Sequence, residues 1–134
     1  MKKEENLKEK FRQALTSTIK VISDDYKPSF DKKSKNLKDY NFFELDNLNS
    51  RSDFIKFRAE ADSEALKKKF SNKEIYKKYL PNNASCKSLY DIAEKIRYEI
   101  LGSKMLKGIS KNINENYIQK INLKLVRNLK REKL

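Results

Sequence analysis

The chain has no histidine, no tryptophan, one cysteine, two glycines and two prolines, and each scarcity removes a class of chemistry. Cys86 alone cannot form an intramolecular disulfide, and without histidine a structural or catalytic zinc site has almost nothing to hold the ion. Gly102 and Gly108 are too few for a P-loop or a dinucleotide fingerprint, which need several glycines for close backbone approach to phosphate. No apolar run approaches the ~18 residues of a membrane span. The opening MKKEENLKEK has no apolar segment of a secretory signal, so the expected location is cytoplasmic and no membrane partner is expected.

What is present is charge and helical periodicity. At 134 residues, with 37% hydrophobic and 38% charged residues, the chain suits one helical domain with a thin core and a solvated exterior. The net charge of +13 admits a nucleic-acid reading, because clustered cations release counterions from phosphate. The competing reading is coding bias. Lysine dominates the 32 basic residues, and arginine, which forks onto phosphate and guanine, is confined to Arg12, Arg51, Arg58, Arg97, Arg127 and Arg131.

Along the chain, residues 4–22 read as a first helix with Leu7, Phe11, Ala14, Leu15, Thr18, Ile19 and Ile22 near one face. From Tyr26 to Asn49 the periodicity fails, giving an irregular connector in which 26–30 and 41–45 can pair as a short β-hairpin, Pro28 confining its strand to an edge. Phe42, Phe43, Leu45 and Leu48 are apolar enough to tuck against the helices, with base stacking as the alternative. Ser50 and Asp53 form a capping box for a helix over 51–70 whose stripe is Phe54, Phe57, Ala61, Ala65 and Phe70. Ser71 with Glu74 predicts a second box for a helix over 72–80, stopped by Pro81.

The stretch from Ala84 to Ile113 organises the rest. Leu89, Ile92, Ala93, Ile96 and Ile100 recur at spacings of three and four, which predicts an amphipathic core helix over 85–101. Gly102 is placed to end it in a left-handed cap and Ser103 to cap a following helix over 103–130, with a break in which Gly108 also falls. In the tail, Tyr117, Ile118, Ile121, Leu125 and Leu129 share a face that either packs back on the domain or stays a free amphipathic helix. The fold class is mainly α: a small single domain of about five helices with an irregular connector between helices 1 and 2. The charges Glu94, Arg97 and Glu99 beside the apolar stripe read as a solvated face, an internal ion-pair network or an interaction surface, and physical grounds alone favour the solvated face.

EKIRYEILGSKMLKG sets Glu94, Arg97, Glu99, Gly102 and Gly108 on a Glu-x-x-Arg-x-Glu-x-x-Gly pattern with a further Gly. RAEADSEAL matches an Arg-Gly-x-Ala-Asp-x-x-Ala-Leu pattern at Arg58, Ala61, Asp62, Ala65 and Leu66, with Ala59 in place of the Gly. In these motifs, and more weakly in FRQALTSTIKVIS, the chain resembles the N-terminal region of the CobT subunit of aerobic cobaltochelatase. The family continues into a von Willebrand A-type domain with a metal-ion-dependent adhesion site. These residues contain no Asp-x-Ser-x-Ser signature, so that domain is expected to be absent, from a truncated product or a standalone domain.

The resemblance implies a non-catalytic interaction subunit in ATP-driven cobalt insertion into a corrin ring. Its implied partners are an AAA+ ATPase subunit and a large tetrapyrrole-binding subunit, with a homo-oligomer left open. It implies no catalytic, cofactor-binding or metal-binding residue here, the complex using ATP, Mg and cobalt. Arg58, Asp62, Glu94, Arg97 and Glu99 then either dock the ATPase subunit or hold the domain together as an ion-pair network. A basic helical nucleic-acid-binding module is the alternative. A lone enzyme ranks behind both, because the five-residue spacing of Glu94 and Glu99 splays them apart on a helix.

Overall fold

The computed structural model describes residues 2–24 and 49–133, which form α1 (Lys2–Ser23), α2 (Arg51–Phe70), α3 (Lys73–Tyr79), α4 (Ala84–Met105) and α5 (Lys107–Glu132). No strand occurs among the described residues, and the chain is mainly α. The segments 26–30 and 41–45 considered for a hairpin, with Phe42, Phe43, Leu45 and Leu48, lie outside the described residues.

Several helix ends follow from local chemistry. The Ser50 hydroxyl accepts from the Asp53 amide at 3.3 Å while the Asp53 carboxylate accepts from the Ser50 amide at 3.0 Å, closing the capping box of α2. Asn83 starts α4, its side-chain oxygen accepting from the amides of Ser85 and Cys86. Ser71 does not cap α3, however. Asn72 does, accepting from the amides of Glu74 and Ile75, while the Ser71 hydroxyl turns to Glu94.

Neither glycine breaks a helix. α4 runs through Gly102 and Ser103 to Met105, the chain turns at an extended Leu106 (φ −138°, ψ 124°), and Gly108 lies inside α5. No described glycine has a positive φ. The left-handed cap expected at Gly102 is absent because that position serves packing: a Cβ there would lie 2.3 Å from both δ-carbons of Leu66. The residue is small so that α4 can touch α2.

α2 is the axis of the domain. α1 lies parallel to it, with the Phe11 and Phe54 rings 4.8 Å apart near one end and an ion pair from Lys69 to Asp24 at the other. α5 lies antiparallel to it, as the Asn112 to Asp62 and Gln119 to Ser52 hydrogen bonds show. α4 crosses it at Gly102. Surrounded in this way, α2 buries Phe57, Ala59, Ala61, Asp62, Ser63, Ala65 and Leu66, so its small residues are what allow neighbours close on several sides. The core adds Leu15, Ile19 and Ile22 from α1, Tyr98 from α4, and Ile109 and Ile113 from α5.

The face expected to form the core of α4 is the opposite of the one observed. Leu89 and Ile92 are 67% and 56% exposed, Ile96 and Ile100 47% and 49%, and Ala93 is exposed too. α4 instead buries Tyr98, Glu99 and Gly102. Periodicity identifies residues that share a face; which face is covered depends on where α2 can approach, and that is the side without a side chain at Gly102. The tail face of Ile118, Ile121, Leu125 and Leu129 is likewise exposed, and α5 packs through Ile109, Ile113 and Asn116 in its first half. Of the two alternatives for that face, packing back on the domain is therefore not the one observed among the described residues.

Candidate functional site

Four of the five charged residues singled out by the sequence, Asp62, Glu94, Arg97 and Glu99, fall where α2 meets α4 and α5, in two groups. The first group is interior. Glu99 is 6% exposed, and its carboxylate accepts from the Ser63 hydroxyl at 2.7 Å and from the Tyr117 hydroxyl at 2.7 Å. One side chain thus ties α4 to α2 and α5 together. Lys95, on the next turn, stands 3.9 Å from the same carboxylate at the solvent edge. One residue along α2 from Ser63, the buried Asp62 accepts from Asn112 of α5 at 2.7 Å. Asn116, one turn beyond Asn112, is buried, and its side-chain oxygen has no partner among the described residues.

The second group fastens the end of α2. Arg97 donates to both carboxylate oxygens of Glu94, at 2.8 and 2.7 Å, and to the carbonyl of Phe70 at 2.8 Å. Glu94 also accepts from the Ser71 hydroxyl at 2.7 Å. The last carbonyls of a helix lack intrahelical donors and carry partial negative charge, so a guanidinium placed there satisfies one and is stabilised by the helix dipole. The planar fork of arginine suits the two-point contact with carboxylate. Beyond this clamp, Tyr76 of α3 donates to Asp91 and receives a 3.3 Å hydrogen bond from Tyr90 at its carbonyl, holding the short α3 against α4.

Arg58 joins neither group directly. It is exposed on α2, one turn before Asp62, and reaches that carboxylate only through its field. Gly102 meets the interior group through Leu66, whereas nothing lies within 4 Å of a Cβ built on Gly108. Sequence reasoning missed Ser63, Asn112 and Asn116, and read Tyr117 only as part of the tail's face and Ser71 only as a cap. The clue available was polar residues spaced for the buried face of α2 and α5, but their partners lie on other segments.

Electrostatics distinguish the two acids. Burial pushes the Asp62 pKa up, against the smaller opposing pulls of the Asn112 hydrogen bond and Arg58. The Glu94 carboxylate is held below its usual range, chiefly by the Arg97 hydrogen bonds and despite some desolvation. The two contribute to stability with opposite signs. A group whose pKa is raised on folding stabilises most below its unfolded value, here 3.8, and loses that contribution as pH rises through the folded pKa. Glu94 contributes above its unfolded value of 4.5 and loses it as pH falls through the depressed pKa. Asp62→Asn is therefore expected to remove the rising-pH loss and leave the acid-side loss due to Glu94. Urea midpoints measured across the acid range check this, and an unchanged profile would contradict it.

Among the described residues no group of three or more histidine, cysteine, aspartate or glutamate side chains is arranged to hold a metal ion. No described helix is long and apolar enough to cross a membrane. Over the described residues these features define a class, an all-α domain of five helices whose buried polar side chains join those helices to one another. The chain belongs to the family described as cobalamin biosynthesis protein CobT, which it matches over residues 5–133. Membership connects it with cobalamin biosynthesis. No solved structure matches it.

Proposed function

We propose that the chain acts as a non-catalytic interaction subunit in cobaltochelatase, supporting ATP-driven insertion of cobalt into the corrin ring. Family membership supports the pathway. The observation that carries the role is the commitment of the charged residues: Glu94, Arg97 and Glu99 make their close hydrogen bonds to helices of their own domain. A general acid or base must meet a substrate's proton, and these groups are turned to structural partners. In this reading cobalt, ATP and magnesium are handled by an AAA+ ATPase subunit and a large tetrapyrrole-binding subunit, in the cytoplasm, and this chain contributes docking.

The residues divide accordingly. Asp62 and Glu99 hold α2, α4 and α5 in register from the interior, while Arg58 and the outer edge of the Arg97 guanidinium present charge to a partner. Capture of the AAA+ cobaltochelatase subunit by the immobilised chain is the test. Arg58→Glu is expected to abolish capture with helicity unchanged, since Arg58 is exposed; its charge reversal near the buried Asp62 should lower the urea midpoint slightly without unfolding the domain. Arg97→Glu is expected to abolish capture as well. If both variants capture the ATPase subunit as the native chain does, the docking role fails.

A further inference from the structure

α5 changes character halfway along. Through Ile109, Ile113 and Asn116 its first half is seated against the domain, but from Lys120 onward every described residue is exposed. The exposed half carries two parallel stripes. Lys120, Lys124, Arg127 and Arg131 follow at spacings of four, three and four, continuing the direction in which Ile109 and Ile113 point. Ile118, Ile121, Leu125 and Leu129 follow at spacings of three, four and four on another side, and remain 55–59% exposed. Along the cationic stripe, Tyr117, Lys120, Ile121, Leu123, Lys124 and Arg127, all on α5, line a shallow open depression of about 320 Å³.

Such an arrangement is costly in isolation. Cations three and four apart repel, and Lys124, Arg127 and Arg131 have no ion pair with any described residue. Four aliphatic side chains on one turn-to-turn line also expose more contiguous apolar surface than scattered surface residues do. The two deficits call for one partner that brings carboxylates and apolar side chains together at helical spacing. We infer that the second half of α5, from Tyr117 to Arg131, is a docking surface for an acidic amphipathic helix of a partner protein. The partner seats apolar residues along Ile118, Ile121, Leu125 and Leu129 and aims carboxylates at Lys120, Lys124, Arg127 and Arg131.

Charge complementarity selects this occupant over others. A second copy would bring a chain of net charge +13 against another of the same charge. Nucleic acid would use the cations but leave the aliphatic stripe without a role, because Ile and Leu offer bases no stacking face. An anionic membrane is disfavoured because the stripe has no Trp or Phe to anchor at an interface. The inference stands apart from the chelatase reading, and its test needs no other subunit.

The probe is a synthetic amphipathic helical peptide of about 18 residues, long enough to hold helix in water, with Leu at three- and four-residue spacing and Glu elsewhere. A Lys-for-Glu version is the control. Calorimetry with the full chain is expected to show salt-sensitive binding of the Glu peptide and none of the Lys peptide. Lys124→Glu with Arg127→Glu should weaken the Glu peptide by about tenfold or more, and reversal of all four cations should transfer binding to the Lys peptide. Leu125→Asp should also abolish binding. These positions are exposed, so unchanged helicity in each variant separates lost docking from lost folding. The proposal is overturned by equal binding of both peptides or by binding of neither. It is equally overturned by a dimer that Leu125→Asp dissociates, or by anionic vesicles or duplex DNA binding more tightly than the Glu peptide through the same residues. Binding of the Glu peptide only after deletion of residues 39–48, which include Glu44 and Asp46, would assign the surface to the chain itself.

Discussion

Substituting the two glycines is expected to move stability in opposite directions. Gly108→Ala adds a methyl group to open space in a helix and removes the backbone entropy cost of glycine, so it should stabilise by up to about 1 kcal/mol. Gly102→Ala brings the same propensity gain but drives its Cβ to 2.3 Å from both δ-carbons of Leu66. Leu66 is fully buried, so its side chain can yield only by displacing the core residues packed around it. Overpacking of that kind costs about 1–3 kcal/mol, enough to outweigh the gain, and the bulkier β-branched Gly102→Val should exceed that range. Urea midpoints of the three variants decide the signs. The contact can be isolated as well: Leu66→Ala alone should cost about 2–5 kcal/mol by opening a cavity, and Gly102→Ala should cost little or nothing in that background. A stabilising Gly102→Ala in the native background would show that α4 does not need this close approach to α2.

The same contact explains why the sequence was legible in some places and misleading in others. The start of α2 could be read because its determinants are neighbours: Ser50 and Asp53 are three residues apart and satisfy each other's backbone. The core stripe of α2 was read in part, Phe57, Ala61 and Ala65 being buried, but Ala59, Asp62, Ser63 and Leu66 are buried on its other sides because three helices surround it. For α4 the stripe Leu89, Ile92, Ile96 and Ile100 was the stronger periodic signal, yet the helix docks by Tyr98, Glu99 and Gly102. Local pattern carries no information about which side of a helix finds a complementary neighbour. Gly102 shows the ambiguity at one residue, since a glycine near a helix end reads as a cap and a glycine at a crossing reads the same way.

Of the candidate residues, Asp62 and Glu99 were identified as a pair of motifs, but their partners were not. Ser63 and Glu99 are 36 residues apart and Asp62 and Asn112 50 apart, so no short-range rule joins them. Ser71 shows the reverse case. It has the spacing of a capping residue to Glu74, but Asn72 takes that work and Ser71 is left to bond Glu94 across the helix junction. Two competent caps in succession leave the choice to tertiary contacts.

Removing the Glu99 carboxylate should cost more than altering any other interior polar group. In Glu99→Ala both Ser63 and Tyr117 lose the acceptor they share, inside a low-dielectric junction where an unpaired donor is expensive, and the loss should be about 3 kcal/mol or more. Glu99→Gln keeps the volume and one acceptor oxygen, and a hydroxyl can accept from the new amide, so its cost should be smaller, about 1 kcal/mol. Stability alone would not separate this from simple loss of packing; the alkaline titration does. Burial raises the Tyr117 pKa first and its hydrogen bond to Glu99 raises it further, while Tyr98 is raised chiefly by burial. A tyrosine pKa raised on folding contributes stability that is complete below the unfolded value near 10 and is lost as pH rises through the folded one. Glu99→Gln should therefore lower the Tyr117 pKa and lessen its part of the alkaline loss. Tyrosinate absorbance followed against pH, with Tyr117→Phe assigning the signal, provides the reading. If Glu99→Gln leaves the tyrosinate curve where it was, Glu99 does not hold α5 through Tyr117, and the interior group does not join the three helices as one unit.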